Sequence, residues 1–179
     1  MKYKIGIVNI GVNNLKSVLS FFLKFGDVKI IETNKNNNSL KNIDLLILPG
    51  NGSFAYGSEF LVKNNLIDEI KNFQNKIIGI CLGMQLLFQE SEESPNFKGI
   101  GMINGTVKKI NSKKFKLPLL GWYSCVDHQN KKYNYFFNNS FICNPLDKSI
   151  INQKIDTNIE LLPSCIKFEN IYGLQFHPE

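Results

Sequence analysis

The residue with the clearest chemical potential is Cys81, which lies in a short glycine-framed turn. Gly79 and Gly83 stand two positions either side of it, with the apolar residues 77–78 before and the helix-like residues 84–88 after. This spacing is typical of a sharp strand-to-helix elbow that exposes a nucleophile, since residues without Cβ let backbone segments approach closely. The sulfur then lies beside the positive end of a helix, which favours the thiolate. The motif predicts a nucleophilic cysteine.

The far end of the sequence supplies the two residue types that activate a cysteine. His177 and Glu179 are two positions apart, separated by Pro178. A histidine transfers the thiol proton and a carboxylate fixes the imidazole, so Cys81, His177 and Glu179 match a nucleophile, base and orienter. Residues two apart on a strand share a face. We therefore expect a catalytic triad.

Strands and helices alternate in the first half of the chain and are expected to position Cys81. The continuously apolar run at 45–48 is typical of a strand buried on both faces of a parallel sheet. Periodicity predicts a loop or short helix at 34–42 and a stop of the first helix at Gly26. The other predicted elements are strands at 4–9, 28–32, 44–48 and 77–80, and helices at 13–25 and about 60–74.

The pattern changes after residue 93 to short β-like segments with weak helical periodicity. They fall at 105–110, 133–137, 141–143, 165–168 and 172–176. Such segments predict an antiparallel, hairpin-rich half. The expected fold is a single three-layer α/β domain with a mostly parallel central sheet, helices on both faces and antiparallel additions.

Length and composition exclude several classes of protein. The chain has 179 residues and is 43% hydrophobic, which suits one folded domain with a sizeable core. No apolar run approaches the roughly 18–20 residues that cross a bilayer. The apolar run at the N-terminus is too short for a signal peptide. We expect a cytoplasmic protein that does not bind membranes.

Charge and the remaining cysteines do not indicate a nucleic-acid or metal site. The net charge is +6, with lysines clustered between 108 and 116. This cluster has no aromatic or motif support for nucleic-acid binding, so it predicts a solvated surface or a docking face for an acidic partner or phosphorylated substrate. Cys125, Cys143 and Cys165 form no C-x-x-C pair, which predicts free thiols and no metal ligation.

Five ordered blocks of sequence resemble class I (triad) glutamine amidotransferases. Their residues are most similar to those of the glutaminase subunits of imidazole glycerol phosphate synthases. The blocks are residues 11–18, 48–54, 79–93, 121–122 and 173–179. The resemblance extends over essentially the whole chain, so residues 1–179 are expected to form one glutamine amidotransferase type 1 domain.

The resemblance implies an enzyme that hydrolyses L-glutamine to glutamate and ammonia without a cofactor. The ammonia would pass to a cyclase or synthase subunit in a heterodimer, most closely that of histidine biosynthesis. Cys81 would form the thioester, His177 would transfer the protons, and Glu179 would orient and stabilise the imidazole. Gln85, together with the block that contains Asn139 and Ser140, would lie in the glutamine pocket.

The resemblance also implies an oxyanion hole made of backbone N–H groups. One donor would be Leu82, and the other would come from the loop Gly50-Asn51-Gly52, which in the family reorients a peptide when the synthase binds its own substrate. Asn51 stands where Val is usual. Because Asn adopts positive φ more readily than a β-branched residue, we expect less dependence on the partner here.

Several positions depart from the family pattern. Asn9-Ile10 replaces an Asp-Tyr pair, Tyr123 replaces an Asn, and Asn139 replaces a His. Trp122 is predicted to serve packing or to face the partner. These changes remove no triad residue, but they favour as an alternative partner a related synthase that aminates sugars in surface polysaccharide or glycan biosynthesis.

The sequence ends at Glu179, whereas relatives continue into a final helix. We expect this C-terminal helix to be absent and a free α-carboxylate to raise the imidazole pKa. Two further readings stay open: a cysteine peptidase or γ-glutamyl hydrolase built on the same elbow, and a non-catalytic binding module.

Overall fold

A nine-stranded sheet forms the centre of the protein in the order β2-β1-β3-β4-β12-β11-β10-β7-β8. The computed structural model describes residues 2–11, 15–32, 39–157 and 159–179. The strands are β1 (Tyr3–Val8), β2 (Gly26–Ile31), β3 (Leu45–Leu48), β4 (Lys76–Ile80), β5 (Phe88–Ser91), β6 (Ile103–Lys109), β7 (Leu119–Asp127), β8 (Lys132–Asn139), β9 (Phe141–Pro145), β10 (Ile151–Asp156), β11 (Leu161–Phe168) and β12 (Ile171–Leu174).

Five neighbouring strands, β2, β1, β3, β4 and β12, run parallel. Their side chains enter two separate cores because successive residues of a strand point to opposite faces. Leu46 and Leu48 pack with helices α2 (Phe54–Lys63), α3 (Ile67–Lys71) and α4 (Leu82–Leu86), whereas Ile47 packs with helix α1 (Leu15–Phe22). The expected three-layer α/β fold with helices on both faces is confirmed.

The second half of the chain extends the same sheet with antiparallel strands. β11 pairs with β12, β10 with both β11 and β7, and β7 with β8 in a long hairpin. A separate small sheet has the order β5-β6-β9. The predicted change to an antiparallel, hairpin-rich half is confirmed, although β5, β7 and β10 were not predicted.

Two predicted helices have different bounds in the structure. The helix predicted at 60–74 is two helices, α2 and α3, because Asn65 turns the chain with a φ of 55°. In the helix predicted at 13–25, residues 13–14 lie outside the described part, and α1 ends at Phe22. Gly26 does not cap α1: it begins β2, where a Cβ would lie 2.1 Å from the Tyr3 carbonyl oxygen. In the segment 34–42, only residues 39–42 are described, and they form turns.

Candidate active site

Cys81 occupies the single position between β4 and α4. Its φ of 51° and ψ of −107° are unusual for a residue with a side chain. Strained backbone of this kind is found where a side chain must be held in one orientation. The predicted elbow therefore has the backbone of a nucleophile turn, with the cysteine itself in the strained conformation.

The glycines of the elbow are required by close backbone contacts. A Cβ on Gly83 would lie 1.6 Å from the carbonyl oxygen of Leu48, at the end of β3. A Cβ on Gly79 would lie 2.7 Å from the carbonyl oxygen of Gly83. Because only glycine has no Cβ, these two positions let α4 begin directly against the ends of β3 and β4.

The pairing of β12 with β4 places the end of the sequence beside the elbow. The two strands are parallel, with Leu174 opposite Ile80. The Cys81 N–H donates to the Leu174 carbonyl oxygen at 2.7 Å. Farther along, the His177 N–H donates to the carbonyl oxygen of Phe136 on β8 at 3.0 Å. The sheet thus fixes the backbone on both sides of the expected triad.

The side chains of Cys81, His177 and Glu179 lie together. The Nδ1 atom of His177 is 3.0 Å from Oε1 of Glu179, and these side chains are 12% and 3% exposed. Burial lowers the pKa of His177, but hydrogen bonds to Cys81 and Glu179 and the negative charges of both raise it to about 10. The imidazole of His177 thus contacts both the Cys81 sulfur and the Glu179 carboxylate.

The other three cysteines are poor nucleophiles in this fold. All four cysteines are buried and free. Burial raises the pKa of Cys125, raises that of Cys143 well above its usual range, and raises that of Cys165 to about 11. Because the thiolate is the reactive form, these three thiols stay protonated and inert near neutral pH.

A cavity of about 340 Å³ opens beside Cys81. Every residue expected to bind glutamine or to form the oxyanion hole lines this cavity, except Gly50. His177 and Glu179 are not part of the lining. The lining residues are Asn51, Gly52, Cys81, Leu82, Gln85, Glu93, Pro118, Asn138, Asn139, Ser140 and Phe141. A cavity of this size suits a small-molecule substrate.

The expected oxyanion donor of Leu82 is occupied in this structure. Its N–H donates to the carbonyl oxygen of Gly50 at 3.2 Å. Gly52, in the same loop, has a φ of 118°, which a residue with a side chain rarely adopts. Asn51 is not among the positive-φ residues. The loop therefore closes the position where an oxyanion would bind.

Two of the expected substrate-binding side chains share one acceptor in the cavity wall. Nδ2 of Asn139 donates to the Phe141 carbonyl oxygen at 2.9 Å, and Nε2 of Gln85 donates to the same oxygen at 3.5 Å. Oδ1 of Asn139 is buried and has no hydrogen-bond partner. Ser140 lies next to them in the lining. The side-chain amides of Gln85 and Asn139 are thus both held against the backbone of the cavity wall.

Glu93 and Gln175 lie at the site but were not singled out from the sequence. Among the described residues that line the cavity, Glu93 is the one with a carboxylate, and its Oε2 accepts from the N–H of Phe54, the first residue of α2, at 2.8 Å. Nε2 of Gln175 lies 3.8 Å from Sγ of Cys81. The sequence signal for both was their place in the blocks 79–93 and 173–179, which does not reveal where a side chain points.

Neither a metal cluster nor a membrane helix is found in the part of the chain that the structure describes. No three His, Cys, Asp or Glu side chains among these residues come together as possible metal ligands. Among the same residues, no helix is long and apolar enough to span a bilayer.

Several curated proteins that share one name are similar to this chain over nearly its whole length. Imidazole glycerol phosphate synthase subunit HisH of Thermotoga maritima is 35% identical over 98% of this chain and 89% of its own length. The subunit of the same name from Methanocaldococcus jannaschii is 38% identical over 98% of this chain and 91% of its own length. The HisH subunit of Prochlorococcus marinus is 36% identical over 100% of this chain and 88% of its own length.

Solved structures share the fold at low sequence identity. A crystal structure of a glutamine amidotransferase superposes with a TM-score of 0.78 at 14% identity, over 97% of this chain and 89% of that one. PurLQS from Thermotoga maritima superposes with a TM-score of 0.70 at 17% identity, over 99% and 88%. The profile of the family described as glutamine amidotransferase class-I matches residues 7–179. The chain belongs to the class I glutamine amidotransferase family.

Proposed function

We propose that this protein is the glutaminase subunit of imidazole glycerol phosphate synthase and that residues 1–179 act as one domain. It hydrolyses L-glutamine to glutamate and ammonia and passes the ammonia to a cyclase subunit in histidine biosynthesis. The observation that supports this best is the contact of Cys81 with the His177–Glu179 pair beside a cavity of about 340 Å³. The HisH relatives support the choice of synthase.

Acylation begins with transfer of the Cys81 thiol proton to His177. Sγ of Cys81 attacks the carboxamide carbon of glutamine, while His177 gives its proton to the leaving nitrogen. The C–N bond breaks, ammonia leaves, and a thioester remains on Cys81. Glu179, 3.0 Å from Nδ1, holds the ring and stabilises its charged form. The raised pKa of His177 keeps the required proton on the imidazole at neutral pH.

The oxyanion hole requires a rearrangement of the loop. The Gly50 carbonyl oxygen now accepts the Leu82 N–H that would bind the oxyanion. Because the C=O and N–H of a peptide point in opposite directions, rotation of the Gly50–Asn51 peptide removes the oxygen and turns the Asn51 N–H toward the cavity. Two donors then meet the developing charge. Binding of the cyclase subunit favours this open state.

The cavity lining supplies groups suited to the amino-acid end of glutamine. The carboxylate of Glu93 attracts the α-ammonium group, since it is the only acidic side chain among the described lining residues. Asn139, whose side-chain amide donates to the Phe141 carbonyl oxygen, adds a polar group to the same lining. Gln85 and Ser140 complete the polar wall. None of these contacts needs a cofactor.

An exposed aromatic surface on the β7–β8 hairpin suits the cyclase subunit. Trp122 is 74% exposed, and Leu120 on the same strand is exposed as well. The Trp122 ring packs edge-on against Phe136, whose carbonyl oxygen accepts the His177 N–H. Large exposed aromatics are enriched at the centres of interfaces. A heterodimer formed here brings the partner close to the triad, and the pathway places both subunits in the cytoplasm.

The test is ammonia and glutamate release from glutamine, with and without the cyclase subunit of imidazole glycerol phosphate synthase. Cys81→Ala is expected to abolish release, whereas Cys165→Ala, which removes an inert thiol, is expected to retain it. Release only with a sugar-aminating synthase would assign the other partner. No release with either partner, together with no labelling of Cys81 by a glutamine-like affinity reagent, would refute the proposal in favour of a binding module.

A further inference from the structure

Gln175 directs its side-chain amide at the catalytic sulfur from inside the protein. The residue is 0% exposed, and its Nε2 lies 3.8 Å from Sγ of Cys81. This N–H···S contact is separate from the one that His177 makes with the same sulfur. The Cys81 sulfur therefore has two donors, and only one of them belongs to the triad.

The backbone holds Gln175 firmly at this position. Its N–H donates to the carbonyl oxygen of Ser164 on β11 at 2.9 Å. The preceding residue, Leu174, accepts the Cys81 N–H at 2.7 Å. Leu174 and Gln175 thus both contact Cys81, the first at the backbone and the second at the sulfur.

The other end of the same amide is left without a partner. Oε1 of Gln175 is buried and accepts no hydrogen bond. A buried polar atom without a partner destabilises a fold, so an apolar side chain of similar length would suit packing better. A glutamine at this position is therefore poorly explained by stability alone. Its N–H is placed where a negatively charged sulfur needs a donor.

We infer that Gln175 is a further catalytic residue, whose Nε2–H donates to the Cys81 sulfur whenever that sulfur is a thiolate. The inference rests on the proposed glutaminase function for its role in turnover. The hydrogen bond from Gln175 does not depend on glutamine, however, and acts in the resting enzyme as well. Hydrogen bonds to charged groups are roughly twice as strong as those between neutral groups.

The hydrogen bond from Gln175 to the Cys81 sulfur contributes at two points of the reaction. Before acylation, the Gln175 N–H helps to hold the proton on His177 and the negative charge on the sulfur. In deacylation, water attacks the thioester carbon, its proton passes to His177, and the remaining hydroxyl stays on the carbon. The C–S bond then breaks and its electron pair returns to Sγ, where the Gln175 N–H again meets a thiolate. Glutamate and the unacylated enzyme result.

The test compares Gln175→Met with the matched control Gln153→Met. Methionine keeps the length of the side chain and removes the donor. Gln153 is a partly buried glutamine whose Oε1 also has no partner, but it lies on β10, three strands from β4 in the sheet. The first readout is the rate of Cys81 alkylation by iodoacetamide at neutral pH, followed by peptide mass spectrometry. The others are kcat and KM for glutamine, and the melting temperature.

Gln175→Met is expected to slow alkylation of Cys81 and to lower kcat by about 10-fold each, which is the effect of losing one hydrogen bond to a charged group. KM and the melting temperature should stay near the wild-type values, and Gln153→Met should leave alkylation and kcat unchanged. An alkylation rate within twofold of wild type would overturn the inference. So would an equal loss in Gln153→Met.

A measurement on the wild-type protein covers the case in which Gln175→Met does not fold. The side-chain amide protons of Gln175 should shift in the NMR spectrum when iodoacetamide alkylates Cys81, because the acceptor loses its charge. An unmoved resonance would contradict the inference. Failure of the proposed function is distinguishable: wild type would then alkylate readily at Cys81, with the Gln175→Met effect intact, and release no ammonia.

Discussion

Gly83→Ala should separate catalysis from folding, because the new methyl group meets backbone at the elbow. The Cβ would lie 1.6 Å from the Leu48 carbonyl oxygen and 2.5 Å from its carbon, and real Cβ contacts essentially never fall under 3.0 Å. The start of α4 must therefore move by about 1.4 Å from β3. That movement shifts Leu82 and Cys81, which adjoin Gly83 in the chain.

The displacement sets the expected magnitudes. Overpacking of a well-packed site costs about 1–3 kcal/mol of unfolding free energy, or roughly 2–12 °C of melting temperature for a chain of this length. A misplacement of about 1 Å in an active site costs about 100-fold in rate. We therefore expect kcat/KM of Gly83→Ala to fall at least about 100-fold while the protein still folds.

The assay measures glutaminase activity with the cyclase subunit, alongside thermal melting. Gly57→Ala, within helix α2, is the matched control, since its Cβ would meet flexible side-chain ends and no backbone: Cδ1 of Leu86 at 2.8 Å and Cδ2 of Leu82 at 3.4 Å. Alanine is favoured over glycine in a helix by about 1 kcal/mol, so this variant should keep both activity and stability. Wild-type activity in Gly83→Ala, or an equal loss in Gly57→Ala, would show that the contact between Gly83 and Leu48 does not position Cys81.

Three further variants test other parts of the site. Glu179→Gln should lower the His177 pKa from about 10, measured by NMR titration, because the negative charge that raises it is lost and a neutral amide oxygen accepts the Nδ1–H more weakly than a carboxylate does. Stability from the raised pKa is complete below pH 6.5 and is lost as pH rises through about 10. An unchanged midpoint would contradict this. Asn51→Val should lower the partner-free glutaminase rate about 10-fold, since a β-branched residue resists positive φ by roughly 1–2 kcal/mol, and an unaltered partner-free rate would argue against the loop flip. Trp122→Ala should weaken cyclase binding by at least about 2 kcal/mol in calorimetry, whereas the equally exposed Leu146→Ala should not.

The sequence predicted the elbow well because its constraints are local. Gly79, Cys81 and Gly83 lie within one turn, and their spacing reflects backbone contacts that the structure contains. The apolar run at 45–48 likewise predicted a strand between two helical layers. His177 and Glu179 were proposed because a triad requires those residue types, although nothing in a linear pattern predicts the β4–β12 pairing that brings them to Cys81.

The parts that were not predicted depend on contacts between distant segments. The prediction of one helix at 60–74 was wrong because no strong sequence signal marks the left-handed conformation of Asn65 within a polar stretch that is compatible with a helix. The occupation of the Leu82 N–H by Gly50 depends on the orientation of one peptide group, which residue types do not determine. The same holds for Gln175, since a periodic pattern cannot tell that its amide meets sulfur.

The pairing of β4 with β12 has a consequence for how this fold can change over time. Backbone hydrogen bonds along this pairing, such as that from the Ile77 N–H to the Asn170 carbonyl oxygen, hold together the segments that carry Cys81 and His177. The chain between them, residues 88–170, leaves the parallel strands after α4 and returns at β12. Insertions, deletions or new surface hairpins in that excursion can alter the docking partner while the β4–β12 pairing and the hydrogen bond from His177 to Phe136 keep Cys81 and His177 in place. The same pair of segments, with Cys81 and His177, can thus be combined with different docking surfaces.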